Sequence, residues 1–273
     1  MRFERVDLTA DGEAYIETYA ADKVGDHTKK ALLVIPGGGY GGVCSDREGE
    51  PIALAFMKYG FNAFVLHYTV GRKKPFPAQL IEASLAVRHI KENAEKYNID
   101  PDEVFAVGFS AGGHLAGSLG ILWKHEAVTA ALGALGAPCG CNKPKGVMLI
   151  YPVVTSAEPG SYGSLCNLLC TDSPSGAALE AVDLEKQVDS DSVPAFIVHT
   201  TTDEVVNVRN SLALADAYSH CGRKFELHIY PDAPHGVALA DRITECGNAR
   251  WVDKSIAKWV EEAAEWAENP KAF

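Results

Sequence analysis

Short apolar runs rich in β-branched residues alternate along this chain with longer segments whose apolar positions recur at helical spacing. Residues 30–39, 61–70, 104–110, 146–154, 194–200 and 224–230 read as strands; the first of them ends in glycines. Residues 50–60, 78–98, 114–123, 211–222 and 250–268 read as helices. Asp100-Pro101 closes the loop into the third strand. Strand and helix in regular alternation predict a mostly parallel central sheet flanked by helices, an α/β fold. Between residues 155 and 192 the periodicity fades at Pro159, Gly160, Gly163, Pro174 and Gly176, which predicts an irregular, cap-like insertion at the substrate pocket. No repeat, low-complexity tract or linker divides the chain. Residues 1–273 are therefore expected to form one domain.

Composition narrows the function classes. The chain is 47% hydrophobic and 22% charged, as a soluble globular protein is, and its formal charge of −11 disfavours nucleic acid or an anionic membrane as partner. The first 15 residues carry no apolar core of a signal peptide, and no stretch is apolar enough to span a membrane, which predicts a cytoplasmic protein. Seven scattered cysteines read as reduced thiols. Neither Cys139-x-Cys141 nor Cys166-xxx-Cys170 has a second ligand pair at zinc spacing, so no metal is expected.

The chemistry begins at Gly108-Phe109-Ser110-Ala111-Gly112, a G-x-S-x-G where a strand passes into a helix. That context suits a nucleophile elbow, with glycines where the turn leaves no room for side chains and Ser110 exposed at the strand end. A serine hydroxyl needs a base, a carboxylate to orient the base, and donors for the oxyanion. His235, in a loop beyond the last strand, is the candidate base. His67, His199 and His228 fall in strands and read as structural, while His27, His89, His114, His125 and His220 fall on helices or surface loops. Asp203, directly after a strand, is the candidate acid, preferred to Glu204, Asp189, Asp191 and Asp232. The run Pro36 to Gly42 offers unobstructed amides, and Ala111, after the nucleophile, offers another. Neither a P-loop nor a dinucleotide pattern accompanies those glycines, which makes nucleotide binding a weak rival.

Together these motifs, with "VIPGGGY", "GFSAGGHLAGSL", "ELHIYPDAPHG" and the closing "RWVDKSIAKWV", resemble the α/β-hydrolase superfamily. The resemblance is closest to its acetyl esterase and acetylxylan-esterase-like branch, related to the hormone-sensitive lipase group. It implies Ser110 as nucleophile, His235 as base, Asp203 as its orienter, and Gly38, Gly39 and Ala111 as oxyanion donors, with no cofactor. Pro36 departs from the His-Gly-Gly-Gly of the hormone-sensitive lipase group. The implied substrate is a small-molecule acetyl ester, such as an acetylated sugar or xylo-oligosaccharide. An amidase or peptidase using the same triad, and a silent hydrolase fold serving as a binding module, are the alternatives. The oligomeric state is left open, a homo-oligomer included.

Overall fold

The computed structural model describes residues 2–273. The chain runs β1 (Arg2–Asp7), β2 (Tyr15–Ala20), β3 (Lys29–Ile35), α1 (Ser45–Glu48), α2 (Glu50–Met57), β4 (Phe61–His67), α3 (Ala78–Glu92), α4 (Ala94–Tyr97) and β5 (Ile99–Phe109). It continues through α5 (Ala111–Ile121), α6 (Glu126–Ala134), β6 (Gly146–Ile150), α7 (Pro159–Leu168), α8 (Gly176–Val182) and α9 (Leu184–Gln187). β7 (Ala195–Thr200), α10 (Arg209–His220), β8 (Phe225–Tyr230) and α11 (Trp259–Glu268) complete it. The strands form one eight-stranded sheet in the order β1-β2-β4-β3-β5-β6-β7-β8. β2 is antiparallel to both β1 and β4, and every pairing from β4 to β8 is parallel. This is the mostly parallel, helix-flanked sheet that the alternation predicts.

The central strands are buried on both faces. Leu33, Ile35 and Ala106 belong to one apolar cluster, and their neighbours Leu32, Val34, Phe105 and Val107 to the other. Alternation along a strand sends successive side chains to opposite faces, so both layers of helices share the sheet as their floor.

Strand order also locates a crevice. From β3 the chain crosses to β4 on one side and returns to β5 on the other, so the loops leaving the carboxyl ends of β3 and β5 diverge there. Open α/β sheets bind ligands at such a switch point. The loops are the glycine run after Ile35 and the turn at Ser110, held side by side by the pairing of Ile35 with Gly108.

Several expected elements differ. β1 and β2 extend the sheet where the sequence reading assigned no strand, because β1 is an exposed edge without a strong apolar run. α6 is likewise unexpected. The helix predicted over 78–98 breaks at Asn93 into α3 and α4, and the strand expected from 104 starts at Ile99 with a register shift. The C-terminal helix begins only at Trp259, two 3-10 turns preceding it. The segment 155–192 is not irregular: it contains α7, α8 and α9. Tertiary packing outweighs glycine's poor helix propensity in α7. A Cβ on Gly160 would sit 1.8 Å from the Val205 carbonyl oxygen, so only a glycine lets the helix approach that backbone.

Candidate active site

The turn after β5 is built by its two glycines. A Cβ on Gly108 would lie 2.1 Å from the Gly112 carbonyl oxygen, and one on Gly112 would lie 2.1 Å from that of Ile35. Between them Ser110 takes φ 54° and ψ −118°, a conformation that non-glycine residues adopt only when their surroundings impose it. The Ser110 amide donates to Ile150 O (3.0 Å), and its carbonyl accepts from Val153 (3.1 Å) and His114 (3.0 Å). The backbone is pinned on both sides and the hydroxyl faces the crevice.

His235 and Asp203 arrive from the far end of the sheet. Asp203 follows β7, His235 lies in the loop after β8, and the run Thr200 to Thr202 ties the two loops together. Thr200 Oγ1 donates to Ala233 O (2.7 Å) and Thr202 Oγ1 to Asp232 Oδ1 (2.7 Å), while the Ala233 amide donates to Thr202 Oγ1 (3.0 Å). His235 Nε2 stands 2.9 Å from Ser110 Oγ, and His235 Nδ1 stands 2.7 Å from Asp203 Oδ2. A carboxylate only accepts, so Nδ1 carries the proton and donates to it, leaving Nε2 to accept from the serine hydroxyl.

Asp203 is buried. Burial alone would raise its pKa, but hydrogen bonds from His199 and His235, with that from the Val206 amide, hold it well below the usual carboxylate range. Its other oxygen, Oδ1, accepts from the amides of Val205 (2.9 Å) and Val206 (2.8 Å). His199, expected to be structural, is fully buried, and its Nε2 lies 3.4 Å from Asp203 Oδ2.

The glycine loop after β3 is held by buried contacts. Tyr68 Oη donates to Pro36 O (2.9 Å), and the Gly37 amide donates to Glu48 Oε2 (2.8 Å). Tyr40 Oη lies 2.8 Å from His114 Nδ1, whose Nε2 donates to Val182 O (2.8 Å). His114, expected on a helix or a surface loop, is on α5 and fully buried, and that burial drives its pKa down to about 4. The Gly37 carbonyl accepts from Cys44 N (3.0 Å) and the Gly38 carbonyl from Gly41 N (3.0 Å) and Gly42 N (3.1 Å). In trans peptides the following N–H points the opposite way, so the Gly38 and Gly39 amides turn away from that hairpin. Gly37's amide is already engaged by Glu48. Ala111 opens α5, where first-turn amides have no partner within the helix.

Gly38, Gly39, Ser110 and His235 line one cavity of about 200 Å³, closed further by Gly160 and Ser164 of α7 and by Val205 and Val206. A larger groove of about 540 Å³ between α2 and α11 contains none of the triad candidates. Glu48, Cys44 and Arg47 also border the small cavity, and sequence reading singled out none of them. A carboxylate on a four-residue helix, 62 positions before Ser110, has no local signature of a site residue. The threonines before Asp203 did carry one, as a hydroxyl run at a strand end.

Among the described residues, no helix is long and apolar enough to cross a membrane. The profile of the BD-FAE family matches residues 17–145, and that of the prolyl oligopeptidase family matches residues 173–264. The chain is 38% identical over 219 residues to endo-1,4-beta-xylanase B of Butyrivibrio fibrisolvens, a match covering 79% of this chain and 34% of that protein. It is 26% identical over 236 residues to the acetylxylan esterase of Xylanibacter ruminicola, covering 85% and 45% respectively. The chain thus spans between a third and a half of the length of these curated relatives. An acetyl ester-xyloside bifunctional hydrolase from Caldicellulosiruptor lactoaceticus superposes with a TM-score of 0.81 at 29% identity, over 98% of this chain and 96% of that one. A carboxylesterase from Lactobacillus plantarum shares the fold with a TM-score of 0.82 at 23% identity, over 98% and 97%. With both family profiles, these relatives and the observed sheet in agreement, the chain has the α/β-hydrolase fold and is similar to esterases built on it.

Proposed function

We propose that this protein is a serine carboxylesterase that removes short acyl groups, chiefly acetyl, from carbohydrate esters. The reading rests on one observation above the rest: the unbroken chain from Ser110 Oγ through the His235 imidazole to Asp203, at 2.9 and 2.7 Å. In this reading Ser110 attacks the acyl carbonyl while His235 Nε2 takes its proton. Asp203 holds the imidazole in the required tautomer and stabilises the imidazolium. The amides of Gly38, Gly39 and Ala111 receive the oxyanion, already aimed by the contacts on their loop, so little reorganisation is needed as charge develops. His235 then protonates the leaving alcohol, and water repeats the sequence on the acyl-enzyme.

The acyl preference follows from the cavity of about 200 Å³, below the roughly 300–1,000 Å³ of drug-sized ligand sites. One domain spans the described chain in this proposal, and segment 155–192 contributes α7 as a wall of the pocket. A sugar ester as substrate is supported by the relatives named for acetylxylan and acetyl ester-xyloside.

The match to the prolyl oligopeptidase family over 173–264, the part that carries Asp203 and His235, favours a second reading, cleavage of amides by the same groups. Turnover of an aryl acetate, acetylated xylo-oligosaccharides and an aminoacyl anilide, measured side by side, separates the two. We expect acetate release from the first two and no release of the aromatic amine from the anilide. Replacing Ser110 by Ala should lower ester turnover by at least ~10⁴-fold and abolish fluorophosphonate labelling. Undiminished hydrolysis by that variant rules the mechanism out.

A further inference from the structure

Glu48 is fully buried beside the cavity, and each of its two oxygens has one partner. Oε2 accepts from the amide of Gly37, directly before the two glycines that line the cavity, at 2.8 Å. Oε1 accepts from Tyr151 Oη at 3.0 Å. Tyr151 is also fully buried at the end of β6, and its amide is anchored to Val198 O at 2.7 Å. Its hydroxyl accepts from the amide of Ala238 at 3.0 Å, three residues beyond His235. Its ring packs edge-on against the His235 imidazole with centroids 4.9 Å apart. A second tie from α1 runs parallel, Arg47 Nη1 donating to Gly236 O at 3.4 Å.

The donors run in one direction: Ala238 N–H to Tyr151 Oη, Tyr151 O–H to Glu48, with Gly37 N–H meeting Glu48 from the other side. Both groups that meet the carboxylate are donors, so it serves as a pure acceptor there. Burying a carboxylate is costly unless its oxygens are satisfied, and burial does push the Glu48 pKa up. A core position could hold an apolar side chain at less cost. What the carboxylate adds is a fixed link between two loops that leave the sheet at β3 and β8, on opposite sides of Ser110.

We propose that Glu48 and Tyr151 are positioning residues: together they form a strut that sets the spacing between the Gly38–Gly39 amides and the His235 imidazole. The proposal rests on the esterase reading, in which the first group receives the oxyanion and the second moves the proton. Reaction at Ser110 requires both at once, and a displacement of about 1 Å at such a site lowers rate by about 10²-fold. Neither side chain need contact substrate.

The test compares Tyr151→Phe, Glu48→Gln and the double variant. Phe keeps the ring against His235 and removes only the hydroxyl. Gln retains an acceptor for Gly37 but presents an NH₂ group towards the tyrosine hydroxyl, which then has no acceptor for its own proton. On an aryl acetate we expect each single variant to lose ten- to a hundred-fold in kcat, with KM within threefold. The double variant should lose no more than threefold beyond the worse single, because the two changes cut one link. Single variants that keep kcat within twofold, or losses that multiply in the double, overturn the proposal. Amide hydrogen exchange read by NMR needs no turnover. In Tyr151→Phe, which keeps the core volume, the Ala238 and Gly37 amides should both exchange at least tenfold faster. If the parent protein hydrolyses no ester and takes up no fluorophosphonate, the esterase reading fails, yet exchange still decides the strut. Unchanged exchange at Gly37 overturns it.

Discussion

Replacing Asp203 by Asn separates the orienting role of this carboxylate from its structural one. Oδ1 accepts from the amides of Val205 and Val206, and an Asn Oδ1 can accept both in the same pose. The second position then becomes an NH₂ group facing His235 Nδ1 at the present 2.7 Å, where a donor now meets a donor. The imidazole relieves this by moving its proton to Nε2, which places an N–H against Ser110 Oγ and leaves nothing to accept the serine proton. Loss of the correct tautomer in a triad lowers kcat by about 10⁴-fold, about 5 kcal/mol in the barrier. Stability should move far less, because the two amides stay paired. Asp203→Ala strips those partners as well, and each orphaned buried amide costs about 1–3 kcal/mol. The assay is initial-rate hydrolysis of an aryl acetate together with urea denaturation of parent, Asn and Ala forms at pH 7.5. The expected pattern is an Asn variant that is inactive but nearly as stable as the parent, and an Ala variant that is inactive and destabilised by a few kcal/mol. An Asn variant within tenfold of parental kcat would refute the tautomer argument.

Three further outcomes follow from the same geometry. Burial pushes the His114 pKa down to about 4 from the ordinary imidazole value of about 6.5, so the unfolded chain binds the extra proton first and stability falls as pH drops from about 6.5 to about 4, by about 3 kcal/mol in full. Urea midpoints at pH 7 and 4.5 for the parent and His114→Gln check this, and equal losses in both proteins rule it out. Gly112→Ala places a methyl group 2.1 Å from Ile35 O and 2.4 Å from Pro36 O, so we expect more than about 3 kcal/mol of destabilisation or no soluble protein; a normal melting temperature contradicts the packing. Ester hydrolysis should fall steadily from acetate to butyrate to octanoate, because α7 and the Val205–Val206 turn wall a cavity of about 200 Å³, and a rate rising with chain length disproves that wall.

Sequence by itself determined what is local. A parallel, helix-covered sheet follows from the alternation of β-branched runs with helical periodicity, and the elbow follows from glycines two residues either side of the turn's serine. Strand ends marked Asp203 and His235, and the parallel pairing of β5 through β8 brings them to Ser110. What escaped the sequence depends on partners far apart in the chain. The exposed edge strand β1 lacked an apolar signal, β2 joins the sheet only by pairing with β1 and β4, and α7 packs against Val205 only because Gly160 has no side chain. Glu48 and Tyr151 lie 103 residues apart, and neither position has a local pattern that marks it. His114 looks like any helix-borne histidine until Tyr40 and Val182 close over it. Only the order of strands in the sheet decides which loops meet. Periodicity records which face a residue buries, whereas the partner on that face is chosen by the packing of distant segments.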